Sequence, residues 1–241
     1  NQNIRQAAAN MGIPFHNAYA DFPDPALDEV GELLAIGGDL EPQRLLAAYA
    51  KGIFPWYDET SPILWWSPDP RLVLMPQKLH VSRRLSRFMG QKRLAVTVNM
   101  SCPQVIEHCA YVQRAGIKGT WLVPEMIEAY TLLHELGYVH SVETWQEGKL
   151  VGGIYGLCLG RAFFGESMFH QVTNASKVAL VHLVRILDEL GVHFMDCQQT
   201  TGHLLSFGAQ EIPRREFMHR LQQAMEAEPL SAQAWRARRV D

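Results

Sequence analysis

Three polar side chains stand out because their surroundings are apolar. In the run Val192-His-Phe-Met-Asp-Cys-Gln, period-two alternation predicts Asp196 and Gln198 on the same strand face as Phe194. An unpaired buried charge is costly, so Asp196 either is hydrogen-bonded or sits at a strand end that reaches solvent. In the functional reading, Asp196 is oriented to accept a proton and the Gln198 amide aligns the same nucleophile. Glu166 lies in Phe163-Phe-Gly-Glu-Ser-Met-Phe, where a regular strand places it with Phe164 and Met168. A carboxylate among aromatics calls for a partner. That partner is a cationic substrate group or a structural arginine such as Arg161 or Arg185, and periodicity leaves both open.

Aromatic residues supply a second kind of chemistry. Trp56, Trp65 and Trp66 cluster in Phe54-Pro-Trp-Tyr and Leu64-Trp-Trp-Ser-Pro-Asp-Pro-Arg. Two of the three are expected in the core and an exposed one could stack on a nucleobase. Trp121 stands alone in Gly119-Thr-Trp-Leu, which makes it the better stacking candidate. Several signatures are missing: a GxSxG elbow, a P-loop, GxGxxG and HExxH. The [QR]-x-x-G-x-[GA] loop that grips coenzyme A is also absent between Phe169 and Ser176, which argues against acetyl transfer. Neither His134 with His140 nor the Cys102, His108, Cys109 group has a convincing zinc spacing, so no metal and no cofactor are expected.

Charge is divided unevenly along the 241 residues, although the net charge is only -3. Residues 1–70 hold three Lys/Arg and ten Asp/Glu, a balance of -7. Residues 71–106 hold seven Lys/Arg and no acid, a balance of +7. Ser82 is placed to cap a short helix in which Arg83 and Arg87 share a face beside Arg84, with Lys92 and Arg93 following. Such an acid-free run suits an anionic partner, and phosphate binding is the favoured reading over a merely solvated helix face.

These side chains are positioned by an α+β arrangement. A helix is predicted from Pro42 to a stop at Gly52, then strands at Arg71-Leu-Val-Leu-Met and Leu94-Ala-Val-Thr-Val on either side of the basic helix. Helices follow from Ser101 and from Pro124 to Gly137. Three β runs, 139–146, 150–159 and 162–169, form a meander joined by Glu147-Gly-Lys and Gly160-Arg. A long helix capped by Asn174 runs to Gly191, followed by the strand 192–198, a short helix near His203 and a last helix after Pro213. The expected organisation is a small N-terminal α/β domain, 1–70, and a catalytic domain, 71–241, with an antiparallel meander flanked by helices as in N-acyltransferases. Four Cys without a CxxC pair point to a reducing compartment, and no stretch is long and apolar enough to span a bilayer. A cytoplasmic protein is expected.

Ten blocks occur in order over roughly residues 22–220: Leu34-Ala-Ile-Gly-Gly-Asp-Leu, Gly52-Ile-Phe-Pro-Trp-Tyr, Leu64-Trp-Trp-Ser-Pro-Asp-Pro-Arg, Gly119-Thr-Trp, Leu133-His-Glu-Leu-Gly, Gly152-Gly-Ile-Tyr-Gly, Phe164-Gly-Glu-Ser-Met-Phe, Asn174-Ala-Ser-Lys, Asp196-Cys-Gln and Glu211-Ile-Pro-Arg-Arg. This array resembles the leucyl/phenylalanyl-tRNA–protein transferase family. The resemblance implies a cytoplasmic enzyme that moves Leu or Phe, and less readily Met, from charged tRNA onto proteins with N-terminal Arg or Lys. That addition marks the acceptor for degradation by the N-end rule pathway. It also implies a GNAT-like (acetyltransferase-like) C-terminal domain. Carried over by position, Asp196 and Gln198 fall on the catalytic strand and Glu166 lines the reaction centre. Trp56 and Trp121 frame the aminoacyl-adenosine, and Phe163, Ile154 and Met168 are pocket positions for the transferred side chain. Ile154 stands where Met is common and Thr201 where Asn often follows Asp-Cys-Gln, changes expected to alter pocket shape and one polar contact.

An aminoacyl ester is already activated, and an α-amine with pKa near 7.7 to 8 is partly neutral at cellular pH, so little base strength is needed. Gln198, held by Asp196, is expected to align the amine against the ester, with most of the rate coming from orientation. Glu166 is expected to supply part of the negative charge that selects basic N-termini. Arg83, Arg84, Arg87, Lys92 and Arg93 are the expected tRNA-phosphate contacts, and the chain is expected to act as a monomer away from membranes. The rivals are a coenzyme A-dependent N-acetyltransferase and a non-enzymatic tRNA-binding protein.

Overall fold

The computed structural model describes residues 15–16, 22–27, 31–111, 123–231 and 233–240. The first part of the chain forms β1 (Phe15–His16), β2 (Leu33–Gly37), α1 (Pro42–Ala50), β3 (Phe54–Pro55), β4 (Leu64–Trp66), β5 (Arg71–Leu74) and a 3-10 turn, Pro76–Lys78. Then come α2 (Arg83–Gly90), β6 (Ala95–Val98), α3 (Cys102–Tyr111), α4 (Pro124–Glu135), β7 (Val139–Gln146), β8 (Lys149–Leu159) and β9 (Ala162–His170). The remainder forms α5 (Ala175–Glu189), β10 (Phe194–Gln198), α6 (Gly202–Leu205), β11 (Gln210–Ile212), α7 (Arg214–Glu226) and β12 (Arg238–Arg239).

The architecture is α+β, with a four-stranded sheet ordered β1-β2-β4-β3 and an eight-stranded sheet ordered β11-β5-β10-β9-β8-β7-β6-β12. The small sheet has no clear sequence signal, because its strands are two to five residues long and carry no sustained alternation. In the large sheet the meander β7-β8-β9 is antiparallel, as its turn residues dictate: Glu147 and Gly148 both adopt positive φ (51° and 76°), the requirement of a two-residue turn matched to strand twist.

Apolar residues gather on both faces of the large sheet. One cluster joins Leu45 and Tyr49 of α1, Trp65 of β4, Ile106 of α3, Leu133 of α4, Phe164 of β9 and Phe217 of α7. The other joins Leu85 of α2, Val96 of β6, Phe163 of β9, Leu180 and Val184 of α5 and Trp235. The first cluster runs from the small sheet to the large one without a break, so the two sheets share one core. Close packing of α5 depends on Gly152 in β8, where an added Cβ would lie 2.5 Å from the Ala175 Cβ.

Two local readings need correction. Asn174 does precede α5, but it adopts a left-handed conformation (φ 68°) and its side chain makes no capping bond. Of the three clustered tryptophans only Trp65 is fully in the core, its indole N–H donating to the Gly37 carbonyl at 2.8 Å. Trp66 is half-buried and Trp56 is 40% exposed.

Candidate active site

The cleft begins where two strands stop pairing. β9 and β10 run parallel and are bonded over Ala162–Phe164 and Phe194–Asp196. Beyond that, each strand is bulged against its other neighbour. Gly165 pairs with Gly156 and Ser167 with Tyr155, which leaves Glu166 as the extra residue of β9. Asp196 and Gln198 pair with Val73 and Leu72 of β5, which leaves Cys197 as the extra residue of β10. A bulge re-aims side chains and ends regular pairing. Here the two bulges face each other across a wedge of about 300 Å³, which is completed by Trp56 and its neighbours from β3.

The bulges overturn the simple alternation. Asp196 points to the side of Phe194, is fully buried, and is not among the residues lining the wedge. Gln198 takes a left-handed backbone, φ 61°, and swings its side chain into the wedge. The two are therefore linked through the backbone: the Gln198 N–H donates to Asp196 Oδ1 at 2.9 Å. Similarly, Glu166 stays on the Phe164 side while Met168 packs against the opposite cluster, so they do not share a strand face as a regular strand would require. Both still line the wedge, one from each side.

Asp196 has its carboxylate oxygens occupied by protein donors. Arg71 donates to it twice, Nε to Oδ1 at 2.9 Å and an η-nitrogen to Oδ2 at 2.7 Å, and both side chains are almost completely buried. The guanidinium also lies over the rings of Phe54 (5.0 Å) and Phe217 (4.4 Å). A bidentate buried pair, with the backbone N–H of Gln198 as a third donor, is a structural fastener. It fixes Gln198 in a backbone conformation that a non-glycine residue rarely adopts unaided.

Glu166 lines the wedge and is held by three side chains. Tyr49 of α1 donates to its Oε1 at 2.6 Å, the Tyr130 hydroxyl of α4 lies 3.3 Å from Oε2, and Gln198 Nε2 donates to Oε1 at 3.2 Å. The two tyrosine oxygens are 2.5 Å apart. Burial pushes the Glu166 carboxyl up to about 7, with the Asp196 charge adding to the rise, while the bonds from Tyr49, Tyr130 and Gln198 oppose it. Burial also raises both tyrosines well above their usual range, so they remain protonated donors. Neither expected arginine is the partner: Arg161 donates to the carbonyls of Glu228 and Leu190, and Arg185 is exposed on α5.

Other expected residues divide cleanly. Trp56, Ile154 and Met168 line the wedge, with Ile154 directly opposite Met168 in the β8–β9 register. Phe163 does not line it; it is fully buried on the far side against Trp235, ring centroids 5.7 Å apart. Trp121 lies outside the described residues. Thr201 caps α6, its hydroxyl accepting from the Leu204 N–H at 3.3 Å, and lines the wedge beside His203. Among the described residues no group of three His, Cys, Asp or Glu side chains is placed to hold a metal ion.

The cationic segment forms a second region. Ser82 caps α2 by accepting from the Leu85 N–H at 3.3 Å, and Arg83, Arg84, Arg87, Lys92 and Arg93 are all exposed. Among the described residues none of them is in a salt bridge. Arg71, which belongs to the same acid-free window, is neutralised inside the protein by Asp196. The segment starts beside the cleft's rim, since the His80 N–H donates to the Phe207 carbonyl at 2.8 Å just past α6.

Residues 73–222 match the family model described as leucyl/phenylalanyl-tRNA protein transferase, and residues 38–69 match the model of its N-terminal domain. The chain belongs to this family. A leucyl/phenylalanyl-tRNA–protein transferase of Solidesulfovibrio magneticus is 58% identical over 207 residues, 86% of this chain and 84% of that one. One of Nitratidesulfovibrio vulgaris is 55% identical over 215 residues, 89% of this chain and 92% of that one. Among solved structures, a GCN5-related N-acetyltransferase from Kribbella flavida shows a remote likeness, with 11% identity, a TM-score of 0.37, and coverage of 70% of this chain and 60% of that one.

Three residues of the site escape a reading of the sequence. Tyr49 fits the apolar face of a helix, Tyr130 carries no local signal, and Arg71 resembles one more cation of a solvent-facing run. Only the Arg71 position carries a hint, as the last residue of the block Leu64-Trp-Trp-Ser-Pro-Asp-Pro-Arg. The Glu211-Ile-Pro-Arg-Arg block is a joint: Arg214 donates to the carbonyls of Gly31 (2.9 Å) and Ser67 (2.8 Å), and its N–H donates to Asp69 (2.9 Å).

Proposed function

We propose that the chain transfers Leu or Phe, and less readily Met, from charged tRNA to the α-amino group of proteins beginning with Arg or Lys. The acceptor is thereby marked for N-end rule degradation in the cytoplasm. The observation that carries this reading is the wedge, where an apolar wall of Ile154, Met168 and Met195 meets the Glu166 carboxyl and the Gln198 amide. An apolar wall distinguishes side chains by only ~1 to 3 kcal/mol per methylene, which suits tolerance of Leu, Phe and Met. The carboxyl suits an incoming amine.

In the proposed step the acceptor nitrogen attacks the ester carbonyl carbon. The new C–N bond forms, the bond to the ribose oxygen breaks, and the proton lost by nitrogen ends on that oxygen. Gln198 orients the amine, Arg71 and Asp196 hold Gln198, and Glu166 supplies negative charge whose amount varies near pH 7. Orientation carries most of the rate, since the ester is already activated. Trp56 and Trp121 are proposed to frame the terminal adenosine. Arg83, Arg84, Arg87, Lys92 and Arg93 are proposed to contact tRNA phosphates, and residue 70 is proposed as the boundary between a small N-terminal domain and the catalytic domain.

Labelled Leu-tRNA and acetyl-CoA offered separately with an Arg-starting peptide test the reading. Label transferred only from Leu-tRNA supports it. Acetylation would favour the coenzyme A rival, and tRNA binding without transfer would favour the non-enzymatic one. No helix among the described residues is long and apolar enough to cross a membrane.

A further inference from the structure

A second cavity, of about 320 Å³, lies away from the wedge between α2, β6 and α5. Its floor is apolar, formed by Phe88, Met89, Leu94, Val96 and Val178. Its rim carries Lys92, Arg93, His182 and Arg185, and among the described residues no Asp or Glu lines it. The cations come from two separate segments, the turn after α2 and the middle of α5, so their convergence is not the periodicity of one helix face. Lys92 is held at the rim by a left-handed backbone, φ 50°. A solvated basic face needs no apolar floor, and a bare phosphate site needs none either.

The same helix carries another cation: Lys177, exposed in the first turn of α5, acts electrostatically on His203, which lines the cleft. Lys177 and Arg185 are eight residues apart on that helix, about 12 Å at 1.5 Å per residue. Exposed cations therefore stand at both ends of this stretch of α5, over a span that a few nucleotides of single strand would cover. An apolar, cation-rimmed hollow with one aromatic wall is the pattern by which proteins take an unstacked nucleotide.

We infer that this cavity holds one unstacked nucleotide of the donor tRNA, a few positions before the aminoacylated end, with its base against Phe88 and its phosphate on Lys92 and Arg185. This rests on the tRNA reading above, and the test separates the two. Leu transfer to an Arg-starting peptide is measured with leucyl-adenosine, with leucyl-oligonucleotides of two to five residues, and with Leu-tRNA. The variants are Arg185→Glu, Phe88→Ala and Ser86→Trp, the last plugging the cavity from an exposed wall position. Arg215→Glu, exposed on α7, is the charge control.

The wild-type protein is expected to gain at least ten-fold in kcat/KM at one step of donor length. All three cavity variants should lose that step while using leucyl-adenosine normally, and Arg215→Glu should keep it. Loss in Arg185→Glu alone, with the plug and Phe88→Ala unaffected, would reduce the site to a phosphate contact and overturn the inference. The absence of any length step would also overturn it. If the wild-type protein transfers Leu from no donor, the tRNA reading itself has failed, which no cavity variant could produce.

Discussion

Charge is handled in opposite ways at the wedge and at the cationic face. Asp196 is fully buried and doubly bonded to Arg71, and Glu166 is enclosed by two tyrosines and an amide. Arg83, Arg84 and Arg87 are exposed and, among the described residues, in no salt bridge. Inside the protein a charge must be satisfied before a substrate arrives, so its geometry is fixed in advance. At the surface an unpaired charge costs little and is free to meet a phosphate. In the proposed function the first arrangement positions reacting groups, whereas the second collects a large polyanion.

If the two regions differ in this way, the largest effects come from breaking the buried pair. Asp196→Ala or Arg71→Ala leaves an uncompensated charge in the core and should cost about 3 to 5 kcal/mol of stability, read by urea unfolding. A loss under about 1 kcal/mol, the range of an exposed pair, would mean that the two charges are not buried as described. Arg83→Ala should cost almost nothing in the same measurement, because that side chain is exposed.

Glu166 gives the next effect and a sign. Its carboxyl is raised from the ordinary value near 4.5 to about 7 in the folded protein, so between those pH values the folded state binds a proton that the unfolded state has lost. Stability should therefore fall as pH rises from about 4.5 to 7 and level off above 7, by on the order of 3 kcal/mol at most. Glu166→Gln should remove that slope. Its use of Arg-starting peptides should weaken more than its use of charged tRNA, as judged by the two KM values. A slope that survives the substitution would assign it to another group.

The cationic face should show a smaller, salt-dependent effect. Replacing Arg83, Arg84 and Arg87 together with Ala should raise the KM for Leu-tRNA and make the plot of log affinity against log salt shallower by roughly 3, about one for each phosphate left without its arginine. Transfer from leucyl-adenosine should be unchanged. The smallest effect belongs to Ser82→Ala, which removes the α2 cap and should cost about 1 kcal/mol in unfolding.

The two regions are also unequally legible in the sequence. The basic run can be read directly because exposed charges need no partner, and α2 with its Ser82 cap lies where the spacing predicts. The meander is legible because its turn residues have few alternatives. In the wedge, Glu166 and Gln198 are recognisable as polar residues in apolar strands, but their facing is not. Each strand carries an extra residue at the bulge, and a one-residue slip reverses alternation. The partners Tyr49, Tyr130 and Arg71 lie 117, 36 and 125 positions from the carboxylates they bind, and no local pattern reports contacts of that range.

The most direct test sets the two regions against each other in one assay of Leu transfer from tRNA to an Arg-starting peptide. Gln198→Ala should lower kcat on the order of 100-fold with the KM for Leu-tRNA nearly unchanged, while the triple Arg83, Arg84, Arg87 substitution should raise that KM and spare kcat. Wild-type kcat in Gln198→Ala, or equal shifts of kcat and KM in both proteins, would contradict the division between a positioning cleft and a collecting surface.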